Sequence, residues 1–188
     1  MLANYHQAFE MQKFDRELPK QKSELTVDLQ QTMLLPKLSV SRAFYLRQMW
    51  FYIFGVLIVT ESQVVPRFFM WNEDVATRGS NKVASSLLSL LEFNEILWSE
   101  DNLIIQSDSC SGQNKNSTIL FLSQYLILKG YFKVIGHKFP EVGHSYPDSD
   151  RDFGRNEKNL RKHETIFLPE QYREYGFCKV TETIMSLI

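Results

Sequence analysis

The run Met49 to Thr60, M-W-F-Y-I-F-G-V-L-I-V-T, constrains this chain most. Its 12 residues are too few to span a bilayer, so a stretch this apolar reads as a buried strand. A buried strand needs partners, and the flanking sequence offers them. Upstream, Leu25, Val27 and Leu29 alternate with Thr26, Asp28 and Gln30, the period of a strand, which Pro36 ends. Ser41 to Met49 reads as a short helix feeding the apolar run. Downstream, past the turn Glu61-Ser62-Gln63, the stretch V-V-P-R-F-F-M-W is another strand, whose Pro66 suits a strand start or an edge. Three consecutive strands predict an antiparallel meander.

The period then changes. R-G-S-N-K-V-A-S-S-L-L-S-L-L-E-F opens with Gly79-Ser80, a helix cap, and sets Val83, Ala84, Leu87, Leu88 and Leu91 at helical spacing. Leu103 to Ser107 is the fourth strand, Ser117 to Leu128 a second helix, and Tyr131 to Ile135 a fifth, short strand. The order is βββαβαβ, an α/β fold. Residues 136–159 are rich in Pro, Gly and Ser and read as a loop entering a helix near Phe153, and loops this long inside a domain usually serve function. The tail from Thr165 has no clean period. These boundaries make 1–23 an N-terminal extension truncated from something longer, 24–165 the folded domain and 166–188 a C-terminal tail.

Length and charge narrow the function classes. At 188 residues and 22.1 kDa the chain suits one domain with a real core. A net charge of -1 and a pI near 6.4 give no global footprint for nucleic acid, so any such binding rests on a local patch. Cys110 and Cys178 are too few for a disulfide framework or a four-cysteine zinc site, which fits a reducing, intracellular setting. The first 22 residues do not read as a signal peptide.

Between the fourth strand and the second helix lies S-D-S-C-S-G-Q-N-K-N, Ser107 to Asn116. A polar turn in that position sits at the carboxyl edge of a sheet, where open α/β folds place their ligand chemistry. Asp108 is the first candidate of this turn. Gln113, Asn114, Lys115 and Asn116, at a helix N-terminus, are candidates for holding a phosphate. An Asx-type turn that only caps the helix is the simpler alternative. Acidic residues fall at two further places: Asp28 in the first strand, and Asp150 and Glu157 near the last helix. In an RNase H-like fold the first and fourth strands are neighbours, which would set Asp28 beside Asp108. Carboxylates gathered at one edge repel unless a hard cation such as Mg²⁺ lies between them, and two such ions can clamp a phosphodiester in an in-line displacement. His144 and Asp150 form a further pair, with His144 suited to proton transfer or, equally, to a backbone hydrogen bond. Arg151, Arg155 and Lys158, with Lys162, share one face of a helix and would either engage phosphates or make a solvated surface. A cysteine hydrolase pairing Cys110 with His144 lacks a recognisable nucleophile context.

The turn S-D-S-C-S-G-Q-N-K-N, together with G-H-S-Y-P-D-S-D-R-D-F-G-R-N-E-K, V-D-L-Q-Q and W-N-E-D-V-A-T-R-G-S, resembles an uncharacterised family of transposase-like animal proteins. That family shares an Asp-x-Cys-x-Gly-Gln-Asn-x-Asn turn and a Gly-His-Ser segment leading to a Glu, and the resemblance covers roughly residues 25 to 160. It implies an RNase H-like, DDE-type domain with Asp28, Asp108 and Glu157 as Mg²⁺ (or Mn²⁺) ligands, Asp150 replacing or supplementing Glu157, and strand cleavage or transfer on DNA. A nuclear location, DNA and a second copy in a homo-oligomer are the setting and partners this implies, with no membrane. Asn156 stands where the family has an apolar residue, and Lys82 where an acidic residue is common. A decayed copy would diverge in this way, so the alternative is a catalytically inactive remnant that serves as a binding module.

Overall fold

The computed structural model describes residues 22–29, 32–38, 47–60, 62–93, 101–139, 154, 157–177 and 184–185. The apolar run forms β3 (Met49–Val59), and eight of its residues, Phe51 to Ile58, are buried in sequence. Burial of consecutive residues means that both faces of the strand are covered. On one side β3 pairs antiparallel with β1 (Lys22–Leu29) and then with β2 (Met33–Leu35), and on the other with β4 (Val64–Asn72). The expected meander is present. The first predicted strand, however, is two strands. Leu29 stands opposite Phe54 and Met33 opposite Phe51, four steps on one chain against three on the other. A one-residue shift changes the face of every later side chain. Leu25, Val27 and Leu29 accordingly join one core, while Leu35 joins the other.

After β4 the chain forms α1 (Ser80–Phe93), β5 (Asn102–Gln106), α2 (Ser117–Leu128) and β6 (Val134–Lys138). β5 runs parallel to β1, and β6 parallel to β5. With the two-residue β7 (Ile184–Met185) alongside β4, the result is a seven-stranded mixed sheet of order β6-β5-β1-β3-β4-β7, in which β2 pairs with β3. The predicted fifth strand begins three residues late because Tyr131 still closes α2, Phe132 enters the larger core and the Lys133 N–H donates to the Asp101 carbonyl. Gly130 takes φ +78°, its N–H donates to the Ile127 carbonyl and the Tyr131 N–H to that of Leu126, the Schellman closure of a helix. The short helix expected at 41–49 falls largely outside the described residues.

Helices cover both faces. Leu87, Leu90 and Leu91 of α1 and Ile119, Leu122 and Leu126 of α2 pack with Leu25, Val27, Phe54, Phe69, Leu103 and Ile105 in the larger core. The smaller core lies on the opposite face, where Phe51, Ile53, Phe68 and Met70 meet Leu160, Ile166 and Tyr172. Two of those residues come from the segment that showed no clean period. Its helix α3 (Pro169–Phe177) is short, with few apolar positions to establish one. Pro169 occupies the first helical position, and the Gln171 side chain accepts from the Phe167 and Leu168 N–H groups at 2.7 and 3.0 Å. Tyr172 stacks on Phe51 with centroids 5.0 Å apart and donates its hydroxyl to the Leu34 carbonyl. Among the described residues no helix is long and apolar enough to cross a membrane.

Candidate functional site

The β1–β5 ladder pairs Glu24 with Ile104 and Thr26 with Gln106. Asp28 and Asp108 each lie two residues past that last pair, Asp28 still on β1 and Asp108 in the turn that follows β5. On the other edge of β5 the pairing runs one step further, with the Ser107 N–H donating to the Lys138 carbonyl of β6 at 3.2 Å. With Leu25, Val27, Leu103 and Ile105 in the larger core, alternation gives Glu24, Thr26, Asp28 and Gln106 the opposite face. That face is polar yet largely closed to solvent here. Glu24 is 9% exposed and accepts from Gln106 Nε2 at 2.6 Å, and the buried Thr26 hydroxyl has no hydrogen-bond partner among the described residues. The alternation of β1 reads as one buried and one solvated face, so Glu24 and Gln106 escape notice in the sequence. Their signal is a polar set on a strand that lies inside the sheet.

The turn after β5 is built to hold Asp108. The Cys110 N–H donates to Asp108 Oδ1 at 3.3 Å and Asn114 Nδ2 donates to the same oxygen at 2.5 Å, while Oδ2 carries no hydrogen bond among the described residues. The Cys110 carbonyl in turn accepts from the N–H groups of Gln113, Asn114 and Lys115, which closes the loop into a helical turn. Asn116 is the cap of α2: its side chain accepts from the Ile119 N–H at 3.2 Å and donates to the Ser111 carbonyl at 3.0 Å. Gln113 is buried, with its carboxamide oxygen accepting from Arg78 Nε and Nη2 at 2.7 and 3.1 Å. Three of the four side chains considered for phosphate binding are therefore used inside the protein, Gln113 on Arg78, Asn114 on Asp108 and Asn116 on backbone, because a tight turn between strand and helix engages its polar groups with its own neighbours. Lys115 is the exposed one, its ammonium 5.1 Å from the centre of the Phe139 ring.

Beside this turn the two helix N-termini meet, with Ser80 Oγ 3.4 Å from Thr118 Oγ1. Next to them a cavity of about 500 Å³ is lined by Thr77, Ser80, Asn81, Lys82, Ser85 and Gly112. Burial holds the Lys82 ammonium below its ordinary pKa, and its nitrogen lies 5.7 Å from the Trp71 ring centre. On the far side of the turn, Ser107 Oγ is 2.8 Å from His137 Nε2, and burial lowers the pKa of that imidazole.

Glu157 lies in a helical stretch at 157–161, exposed, with Arg161 Nη2 2.7 Å from its Oε1. Lys158 is exposed beside it. Among the described residues no three of the His, Cys, Asp and Glu side chains gather closely enough to hold a metal ion. His144, Asp150, Arg151 and Arg155 fall outside the described residues.

Fold and site together define an α/β protein with a mixed sheet, helices on both faces and a polar turn at the carboxyl edge. Residues 43–180 match DUF7869, a domain of unknown function, and the chain belongs to that family. Asp108 with its turn and Glu157 fall inside the matched span, and Asp28 precedes it. No curated protein matches the chain. Among solved structures, one of NurA with manganese is 14% identical, covering 83% of this chain and 32% of that one at a TM-score of 0.23. One of NurA bound to dAMP and manganese is 11% identical, covering 96% and 45%, also at 0.23. This chain thus spans less than half of either NurA chain, and a TM-score at that level carries no inference about it.

Proposed function

We propose that this chain is a transposase-derived domain of the RNase H-like fold that carries out metal-dependent phosphoryl transfer on DNA, with Asp28 and Asp108 as its central carboxylates. The observation that carries this reading is the β1–β5 register, whose last pair is Thr26 with Gln106, so that Asp28 and Asp108 each follow it by two residues at the carboxyl edge. The neighbouring of the first and fourth long strands supports the RNase H-like expectation as well.

The donor set suits the cation. Mg²⁺ and Mn²⁺ are hard ions, and Mg²⁺ is commonly held by one or two carboxylates together with waters and substrate phosphates, so a pair is sufficient. When bound, such an ion supplies activation of the attacking oxygen and charge stabilisation at the leaving one. The protein's own residues prepare the site. Asn114 and the Cys110 N–H fix one oxygen of Asp108 and leave the other for a ligand. Lys115 and Lys82 offer ammonium groups to backbone phosphates beside it. Glu157 or Asp150 completes the set, with His144 moving a proton and Arg151, Arg155 and Lys158 contacting DNA. An exposed Glu157–Arg161 pair of the i,i+4 type holds its carboxylate only weakly, so it can exchange partners.

The test is a cleavage and strand-transfer assay on labelled duplex DNA with Mn²⁺ or Mg²⁺. Activity is expected in the natural chain and absent from both Asp28→Asn and Asp108→Asn. Activity that survives both substitutions would refute the assignment. One observation favours a second reading, a catalytically inactive remnant that binds without cleaving: no third carboxylate joins the pair among the described residues. That reading expects DNA retention by gel shift with no cleavage under any divalent cation.

A further inference from the structure

We infer that the outer face of α2 is a self-association surface through which two copies of this chain pair about a two-fold axis. The helix is S-T-I-L-F-L-S-Q-Y-L-I-L, without a single charged residue. A helix apolar all round normally lies buried on every side, yet α2 turns only Ile119, Leu122 and Leu126 inward. At 100° per residue, Leu120, Phe121, Tyr125, Ile127 and Leu128 form one continuous outer arc, and Tyr131 extends it past the end of the helix. These side chains are exposed, Phe121 to 63% and Leu128 to 85%.

Area and symmetry argue for a second copy. With about 200 Å² for each large side chain, the six expose on the order of 650 Å² of mostly apolar surface. A standard interface takes about 800 Å² from each partner, of which somewhat over half is apolar, so this face supplies the apolar share and leaves a polar rim to its surroundings. It also stands at the upper end of the largest patches that ordinary monomers show, the size at which such patches mark interaction sites. A two-fold axis across the helix runs the two copies of α2 antiparallel, which sets the N-terminal end of one beside the C-terminal end of the other and so opposes their dipoles favourably. Gln124, exposed within the arc, is the amide that meets its own copy there, and a carboxamide is both donor and acceptor. No like charges on α2 stand against this pairing.

Sedimentation equilibrium on the full chain tests it. The expected mass is twice 22.1 kDa, reverting to 22.1 kDa in Phe121→Glu and Leu128→Glu with circular dichroism unchanged. A second variant, Gln124→Cys with Cys110 and Cys178 changed to Ser, is expected to form a disulfide-linked dimer under mild oxidation, and it reads the contact without disturbing the apolar arc. A natural chain that sediments at 22.1 kDa overturns the proposal, since the face is then covered by the chain itself or by another protein. A doubled mass that neither charge variant moves overturns it too, because the contact then lies elsewhere.

Discussion

Alternate residues of β1 are buried to nearly the same depth on the two faces of the sheet, but they are buried for different ends. On one face Leu25 and Val27 meet Leu103, Ile105 and the leucines of α1, an arrangement that apolar burial explains completely. On the other, Glu24 and Thr26 lie almost as deep, with Gln106 beside them and Asp28 next along the strand. Burying a carboxylate or an unpaired hydroxyl lowers stability. β1 carries both next to the proposed site, the Glu24 carboxylate offset by its bond from Gln106 and the Thr26 hydroxyl without a partner among the described residues, which separates what holds the fold from what the fold is holding.

The contrast can be broken by substitution. Phe54→Ala empties a fully buried position in the larger core and is expected to cost about 3–5 kcal/mol in urea unfolding. Gln106→Leu, at similar depth on the polar face, removes a donor from the Glu24 carboxylate and is expected to cost about 1–3 kcal/mol by the same measurement. Equal losses from the two would erase the distinction between the faces. Smaller again is a pH effect at the sheet's end. Burial lowers the His137 pKa below its ordinary 6.5, so the folded state prefers the neutral ring. Its contribution is whole above pH 6.5 and is lost as pH falls below that value toward the folded pKa, and His137→Gln should flatten this limb of the thermal stability profile. The smallest effect tests the polar face most finely. Thr26→Val replaces an unpartnered buried hydroxyl with a methyl group, and stability should rise by about 1 kcal/mol or less.

Much of this arrangement is legible in the sequence. The buried strand at Met49, the strand alternation of Leu25 to Leu29, the leucine spacing of α1 and the strand, turn and helix around Asp108 follow from periods that local chemistry sets. Three features are not local. The one-residue shift between β1 and β2 exists only in their pairing with β3, so no period within either segment announces it. Tyr172 is one of three aromatic residues on a nine-residue helix, and its partner Phe51 lies far away in the chain. At the site, amide-rich turns look the same in sequence whether their side chains face a ligand or their own backbone. The structure engages Gln113 with Arg78, Asn114 with Asp108 and Asn116 with α2, and it leaves Lys115 exposed.

If Asp28 and Asp108 act as one site, metal binding needs both. Isothermal calorimetry of Mn²⁺ with the purified chain and a short DNA duplex tests it directly, comparing the natural sequence with Asp28→Asn and with Asp108→Asn after each is shown to unfold at an unchanged temperature. Saturable binding by the natural chain, abolished by either substitution, is expected. Binding that both variants retain, or none by the natural chain with DNA present, would contradict it.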